Sequence, residues 1–569
     1  MRDHRTIANQ TFDLIVIGGG INGAGVVRDA ALRGLKTLLI DKGDFCGGAT
    51  SWSTRLVHGG LRYLEYFEFN LVRESLKERE ILLHTAPHLV KPLQLTIPIY
   101  RDRSRPYWKI QAGMALYDIL SYDKTLPHHR MLPAEQFRQL FREVEPDKLV
   151  GGAQYYDSQV AYAERLALEN ILDAEAAGAS VINHAEVVEL DLEGDRITAL
   201  ICFDHISGEQ FTVKCDSQSL VVNTAGPWVD EVLHRGHKDD QAYTIGNEPK
   251  IGPTKGSHIV VDPFPGMPVG TALYVEAKSD GRPFFIVPWL GQVLIGTTDL
   301  RYRDTLNHIK ASDDEIDYLI KETNLIIPTA QLSRDSIKFT YSGVRPLPYA
   351  EGKKTSSISR SHVLYNHSKE GASNLISLIG GKITTYRQVG EEVVDTAYQR
   401  RQQQPMPQCS TQKRPLPGAL LPNDNRIKAA IAQYHDRVSL DSLEYLFGIY
   451  GARTFAILQL IDQSPELAER ITPKQPGIRA QIVFAVQSEY AETIADIIHR
   501  RIMLAMHTDY GFSILPVLQQ TLQQYCGWSQ ERCDRAVAQY KQFMRENCIP
   551  DYALAQFATS DRDLIASAS

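Results

Sequence analysis

Apolar residues follow three kinds of pattern along this chain. Short continuous runs at 14–17, 35–40 and 219–223, each ending in glycine or small polar residues, predict buried parallel strands. Alternating positions between 178 and 213 predict short antiparallel strands. Residues 284–299, FFIVPWLGQVLIGTTD, predict a hairpin turning near Gly291. Residues 70–85 predict a charged amphipathic helix, and helical spacing dominates beyond 422. There LDSLEYLFGIYG, ARTFAILQLIDQ, IRAQIVFAVQSEY and ETIADIIHRRIMLAM read as a helical domain. The Gln/Pro-rich stretch 401–422 between the two regimes reads as a linker.

The most informative stretch is 13–41, DLIVIGGGINGAGVVRDAALRGLKTLLID. It reads as strand, glycine turn, helix and strand, with Gly34 as the helix stop and Asp41 closing the unit. Gly18, Gly20 and Gly23 have GxGxxG spacing. Such glycines let backbone approach a pyrophosphate, which sits on the free N–H groups of the helix N-terminus. Asp41 stands where an acid would meet a ribose 2′-OH and disfavours a 2′-phosphate, which points to NAD or FAD.

A length of 569 residues requires several domains. The net charge of −7 gives no global attraction for nucleic acid, so an anionic ligand needs a local basic pocket. The seven cysteines form no CxxC pair and no metal pattern, which fits a reducing compartment and no metal site. The N-terminal residues lack the apolar core of a signal peptide, and no run is long enough for a spanning helix.

Several other segments carry candidate chemistry. Residues 47–62, GGATSWSTRLVHGGLR, offer small hydroxyl residues and paired glycines suited to a phosphate or a flat ring. Residues 219–229 end in Gly226-Pro227, a second strand returning to a small-residue turn. Residues 375–387, LISLIGGKITTYR, read as strand, Gly380-Gly381 turn and helix start, another place for negative charge. Residues 98–122 mix Arg101, Arg103, Arg105 and Lys109 with Trp108, Ile110, Met114, Leu116 and Tyr117. That mixture suits either an interfacial segment or a core-facing helix with a solvated basic flank. Asp496 and Arg500 in the helical region read as an intrahelical i, i+4 pair.

Taken in order, IGGGINGAG, HGGLRYLE, NTAGPWV, KGSHIVV, IGTTD, YSGVRP and GGKITTYR resemble the FAD-dependent glycerol-3-phosphate dehydrogenases of the glycine/D-amino-acid oxidase superfamily. The resemblance spans about residues 13–390, and the helical C-terminal part matches only loosely. It implies an α/β fold: a Rossmann-type FAD-binding domain, an antiparallel-sheet substrate domain and a C-terminal α-helical cap. The FAD-binding domain would comprise 1–90, 151–250 and 346–400. A substrate- or membrane-facing segment would occupy 91–150, the substrate-binding domain 251–345, the linker 401–422 and the cap 423–569.

The resemblance also implies noncovalent FAD and oxidation of sn-glycerol 3-phosphate to dihydroxyacetone phosphate. Electrons would pass to a quinone, with the protein cytoplasmic, peripheral on the inner face of the membrane, and able to form a homodimer. Gly18, Gly20, Gly23 and Asp41 match the ADP-binding unit. Ser53, Thr54, His58, Gly59 and Gly60 match the loop along the flavin and its pyrophosphate. Ala225 and Gly226 match a second cofactor turn, and Gly381, Lys382 and Thr384 the turn at the pyrimidine edge. Arg62, Tyr63, Arg345, Arg360 and Lys382 match substrate-pocket positions, with His258 nearby. Trp52 stands where relatives carry smaller residues and is expected to crowd the flavin loop.

The chemistry implied is coherent. Arginines are the best forks for phosphate oxygens. A cation beside the C2 oxygen stabilises developing alkoxide charge, a role assigned to Arg345. His258 and His58 are the competing candidates for the proton acceptor. Lys382 at a helix N-terminus favours negative charge near the flavin N1. The competing activity is a glycerol-3-phosphate oxidase that uses oxygen and makes peroxide. A catalytically silent flavin-binding scaffold would have lost the pocket cations, all of which are present.

Overall fold

The computed structural model describes residues 2–239, 241–267, 269–352, 358–402 and 405–555. The four residues Leu14–Ile17 are fully buried and form the centre of a six-stranded sheet among the described residues. Thr37–Ile40 and Leu220–Asn223 flank that strand in parallel, with Leu14 opposite both Thr37 and Leu220. Ser180–Ile182 and Leu375–Ile379 extend the parallel order outward, and Val363–Asn366 closes one edge antiparallel. Continuous apolar runs are explained by this arrangement, because helices cover the strands.

The helix Ile21–Leu32 starts at Gly20, where the Thr50 hydroxyl accepts the Ile21 N–H at 3.0 Å. It stops at Gly34, whose φ of +90° ends helical hydrogen bonding, as the sequence predicts. It packs on Ala163–Ala176 and on Tyr386–Arg400. The second contact is close because both partners are glycine: a Cβ on Gly390 would lie 2.6 Å from the Gly25 carbonyl oxygen.

A second, larger sheet carries the other wall of the site. Thr254–Val261 lies between Gln292–Gly296 and Ile337–Arg345, antiparallel to both. The register pairs Thr254 with Arg345, Gly256 with Gly343 and His258 with Tyr341. Side chains alternate along strands, so His258 and Arg345 share one face. The predicted hairpin is Pro283–Trp289 with Gln292–Gly296, turning at Leu290-Gly291. Val90–Tyr100 and Leu149–Val160 join this same sheet, which ties residues far apart in the chain to one wall. The alternating stretch 185–214 builds a separate small sheet with Gly236–Lys238 and Gln241–Tyr243.

From Asn425 to Ala553 the described elements are helical, and their apolar residues enter the same core as those of the first sheet. The stretch 405–422 is irregular but fastened down. Leu416 and Leu420 are buried, and the Arg414 guanidinium pairs with Asp173 at 3.0 Å. Arg28 donates to the Arg414 carbonyl, and the Gly418 N–H to Glu169. No helix among the described residues is long and apolar enough to cross a membrane.

Candidate functional site

The first sheet, the second sheet and the helical part enclose a cavity of about 770 Å³. One end is built from backbone. Gly18 has φ +105°, and a Cβ there would lie 2.8 Å from the Thr224 carbonyl, so only glycine fits. Gly20, Ser53, Thr54, Ala225 and Gly226 line the cavity beside it. Gly23 is not among the lining residues. It packs inward, where a Cβ would lie 1.9 Å from the Gly18 oxygen, and so lets the helix close on the loop.

Asp41 lines the cavity but is already engaged. Its carboxylate accepts from the Gly19 N–H at 2.5 Å and the Gly43 N–H at 2.9 Å. Burial raises its pKa to about 6 against these hydrogen bonds. The acid therefore holds the glycine loop in shape as well as presenting an edge to the cavity.

The helical part contributes to this end. A π-helical turn, Asp496–Arg501, aims its charges at the first sheet. Arg500 Nε reaches Asp44 Oδ2 at 2.6 Å and Arg501 reaches Asp44 Oδ1 at 2.7 Å. Asp496 pairs with Arg500, as predicted, and also with His184 at 2.9 Å. Asp44, His184, Asp496 and Arg500 all line the cavity. The sequence indicates only the local i, i+4 pair, because Asp44 lies more than 450 residues away.

The opposite end is cationic. Arg345 donates to Asp299 at 3.1 Å and to the Thr297 hydroxyl at 3.0 Å. A Cβ at Gly256 would lie 2.3 Å from its guanidinium, so that glycine makes the room. Burial, with Arg360 nearby, lowers the Arg345 pKa to about 10 against the pull of Asp299. Arg360 lies 3.7 Å from the other Asp299 oxygen. Lys382 donates to the Ser75 hydroxyl at 2.9 Å and sits 4.4 Å from the centre of the Tyr63 ring. Burial lowers its pKa to about 7. Asp299 is the residue that sequence reasoning passed over: it lies within the IGTTD motif and joins both arginines.

Gly60 and Gly59 shape the cationic end without lining it. Gly60 has φ +74°, and a Cβ would strike the Tyr63 ring at 2.1 Å. A Cβ on Gly59 would meet Tyr117 and Leu76 instead. Arg62 lines a neighbouring apolar cavity of about 240 Å³ with Leu64, Ile110, Leu116 and Tyr274. Its charge still acts on Tyr63 and Arg345.

Both candidate histidines line the main cavity. His258 Nε2 is 2.9 Å from the Thr54 hydroxyl, and its ring stacks on Tyr341 at 4.7 Å. Its Nδ1 is buried with no hydrogen-bond partner among the described residues. Burial, with Arg345 and Arg55, holds its pKa well below the ordinary value, so the ring is neutral. Burial also lowers the His58 imidazole, while the His58 backbone N–H donates to Thr384 Oγ1 at 3.1 Å. Thr384 and Gly381 lie on the cavity wall, as does Trp52. Gly343 leaves room for the Trp52 backbone and Cβ, where a Cβ of its own would lie 2.6 Å from the Trp52 carbonyl oxygen.

A family model described as FAD dependent oxidoreductase matches residues 13–387, and one described as the C-terminal domain of alpha-glycerophosphate oxidase matches 409–533. A glycerol-3-phosphate dehydrogenase of Synechocystis is 60% identical over 97% of this chain and 100% of its own length. An aerobic glycerol-3-phosphate dehydrogenase of Staphylococcus aureus is 31% identical over 88% of each. The crystal structure of a Bacillus halodurans glycerol-3-phosphate dehydrogenase complexed with FAD superposes with a TM-score of 0.72 and 25% identity. That likeness covers 95% of this chain and 96% of the other. A glycine cradle at one end of the cavity and paired guanidiniums at the other thus accompany relatives matched nearly end to end, and the chain belongs to the FAD-dependent glycerol-3-phosphate dehydrogenase family.

Proposed function

We propose that the protein oxidises sn-glycerol 3-phosphate to dihydroxyacetone phosphate with FAD and passes the electrons to a membrane quinone. The observation that carries this reading is the pairing of Arg345 and Arg360 on Asp299, with Lys382 on the same cavity. Such a cluster suits a small phosphate dianion. The cavity fits FAD: Gly18 leaves room that a Cβ would fill, and the N-terminus of Ile21–Leu32 offers N–H groups to a pyrophosphate. Gly18, Gly20, Asp41, Ser53, Thr54, Ala225 and Gly226 would hold the dinucleotide, and Gly381, Lys382 and Thr384 the far edge of the ring. When bound, FAD supplies the hydride acceptor at N5.

The chain's own residues do the rest. Arg360 and Lys382 grip the phosphate and thereby fix C2, an orientation effect. Arg345 faces the C2 oxygen and stabilises the negative charge that grows there. Its fork is held by Asp299 and Thr297, so little reorganisation is needed. His258, neutral and on the cavity wall, is assigned as the proton acceptor for the hydroxyl. The backbone N–H and carbonyl of His58 tie its loop to the Thr384 hydroxyl and so orient the loop along the ring.

The quinone reading draws on a separate surface. Phe67, Trp108, Ile119 and Tyr122 are exposed, and Phe69 lies beside Phe67. Such a group suits a lipid interface. The 240 Å³ apolar cavity is lined by Arg62 and by Ile110 and Leu116 of the helix Tyr107–Leu120, which also carries Trp108 and Ile119, and it suits a quinone ring. Of the basic residues in 98–122, Arg105 points inward to Glu65 and Glu276 rather than toward an interface.

The test uses detergent-extracted protein loaded with FAD. Anaerobic sn-glycerol 3-phosphate should bleach the flavin absorbance, with fast recovery by a ubiquinone analogue and slow recovery in air. Fast recovery in air with peroxide would make the protein an oxidase. No bleaching would remove the substrate assignment.

A further inference from the structure

We infer that Glu315 is a positioning residue for Arg345: from behind the substrate wall, through the Thr298 hydroxyl, it fixes the segment 297–299 that seats the guanidinium. This role rests on the assignment of Arg345 to the C2 oxygen. Glu315 lies on the helix Asp313–Ile326, which packs on the strand Thr254–Val261. Side chains alternate along that strand. Gly256 and His258 line the cavity, whereas Lys255 and Ser257 bond to Glu315. The carboxylate therefore sits on the far side of the sheet from the substrate.

Helix capping accounts for only half of this carboxylate. Ser312 and Glu315 form a capping box: Oε2 accepts the Ser312 N–H at 3.1 Å, and the Ser312 hydroxyl accepts the Glu315 N–H at 3.3 Å. That duty needs one oxygen and no burial. Yet Glu315 is 3% exposed, and its other oxygen, Oε1, is turned into the sheet. Oε1 accepts from the Thr298 hydroxyl at 2.6 Å and from the Ser257 hydroxyl at 2.8 Å. Lys255 Nζ pairs with Oε2 at 2.7 Å. Burial acts to raise the Glu315 pKa, but Lys255 and the two hydroxyls outweigh it and hold the group below the ordinary carboxylate range. An ionised carboxylate only accepts, so it sets where each hydroxyl proton points.

The contacts run unbroken from Glu315 to the arginine. Thr298 Oγ1 gives its proton to Glu315 and accepts the Ser257 N–H at 2.8 Å, so one buried side chain is held by helix and strand together. The backbone beside it carries the seat. Thr297 Oγ1 donates to the Thr298 carbonyl at 3.0 Å and accepts from Arg345 Nη2 at 3.0 Å. Asp299 Oδ1 accepts from Arg345 Nη1 at 3.1 Å. Ser342, on the strand that ends at Arg345, joins the same cluster: its hydroxyl lies 2.7 Å from that of Ser257. With the Ser257 proton committed to Glu315, Ser342 is the donor. The seat and the strand that bears the arginine are thereby registered to one carboxylate.

The seat needs such a hold. Residues 297–299 fall between the strands Gln292–Gly296 and Leu300–Arg301 and have no strand ladder of their own. A cation stabilises a growing oxyanion best when it is already fixed where the charge appears. Charge-assisted hydrogen bonds to Glu315 supply the stiffness that a ladder would otherwise give. The phosphate grip stands apart. Lys382 bonds to Ser75, and Arg360 meets Asp299 only across 3.7 Å. Loosening the seat therefore falls on the rate of hydride transfer more than on ester binding.

The test uses FAD-loaded protein and reads the saturating rate of anaerobic flavin bleaching by sn-glycerol 3-phosphate. Thr298→Val keeps the branched Cβ and removes the hydroxyl. It should slow bleaching about tenfold, with FAD content and affinity for propyl phosphate, a redox-inert ester, within about twofold of wild type. Thr298→Ser restores the hydroxyl and should recover most of the rate. Glu315→Gln, which can still close the capping box, should behave like Thr298→Val. In an Arg345→Ala background, Thr298→Val should cost less than about twofold more, because no guanidinium is left to seat. A crystal structure of Thr298→Val should show the Arg345–Asp299 bond broken, a result that needs no turnover and stands apart from the substrate assignment. Wild-type rates in both Thr298→Val and Glu315→Gln, an equal loss with and without Arg345, a loss of ester affinity in place of rate, or an unmoved seat would overturn the positioning role. A wild-type rate in Arg345→Ala would remove the assignment of Arg345 itself, and the positioning role with it.

Discussion

The two ends of the cavity are built by opposite means. At the dinucleotide end, backbone shape does the work. Gly18, Gly20 and Gly23 lie within six residues of one another, and Asp41 ties the loop through two N–H groups. At the substrate end, side chains do the work, and they come from distant segments: Tyr63, Asp299, Arg345, Arg360 and Lys382. A local device tolerates no change of shape, whereas an assembled one depends on partners that hold each charge in place. Asp299 is that partner for two arginines, as Asp44 is for two arginines of the helical part.

The largest effect is expected where the helical part grips the dinucleotide end. Asp44→Ala would leave Arg501 buried without its carboxylate and Arg500 with Asp496 alone, costing about 3–5 kcal/mol. Urea unfolding and retained FAD should both fall; unchanged values would show that the helical part does not secure this end. Next is the substrate end. Arg345→Ala should lower kcat/KM by about 10²–10³-fold with FAD content intact, as measured by steady-state kinetics. Loss of FAD in that variant would mean that the two ends are not separable.

A smaller effect is expected outside the cavity. Replacing both Phe67 and Trp108 by Ser should weaken binding to anionic vesicles by about tenfold, judged from the apolar area lost. Activity with a water-soluble acceptor should persist. The smallest is a pH effect on Lys382. Its charge is lost as pH rises through about 7. Affinity for propyl phosphate should fall about threefold to tenfold across that range, and Lys382→Arg should flatten the profile. The stability sign is the reverse. The folded pKa lies below the unfolded value of ~10.4, so burial of this charge destabilises fully below pH ~7. That cost fades as pH rises toward ~10.

The same contrast explains what the sequence could tell. The strand–turn–helix unit at 13–41 was readable because period, glycine spacing and the closing acid are all local. The hairpin around Gly291 was readable for the same reason. Arg345 and His258 could be named only through resemblance, since their shared face depends on the pairing of 254–261 with 337–345. Asp44 with Arg500 was not readable at all, because i, i+4 spacing explains Asp496–Arg500 without any distant partner. The fastening of 405–422 escaped notice too: Pro and Gln content suggests a spacer, while buried Leu416 and the Arg414–Asp173 pair reflect tertiary packing.

The central claim is that the cationic end selects a phosphate ester of an alcohol. The most direct measurement is the anaerobic rate of flavin bleaching by sn-glycerol 3-phosphate, glycerol and an amino acid such as D-alanine, each at saturating concentration. Rapid bleaching is expected from the phosphate ester alone, abolished in Arg360→Ala with Lys382→Met. Comparable bleaching by glycerol or D-alanine, or undiminished bleaching in the double variant, would contradict it.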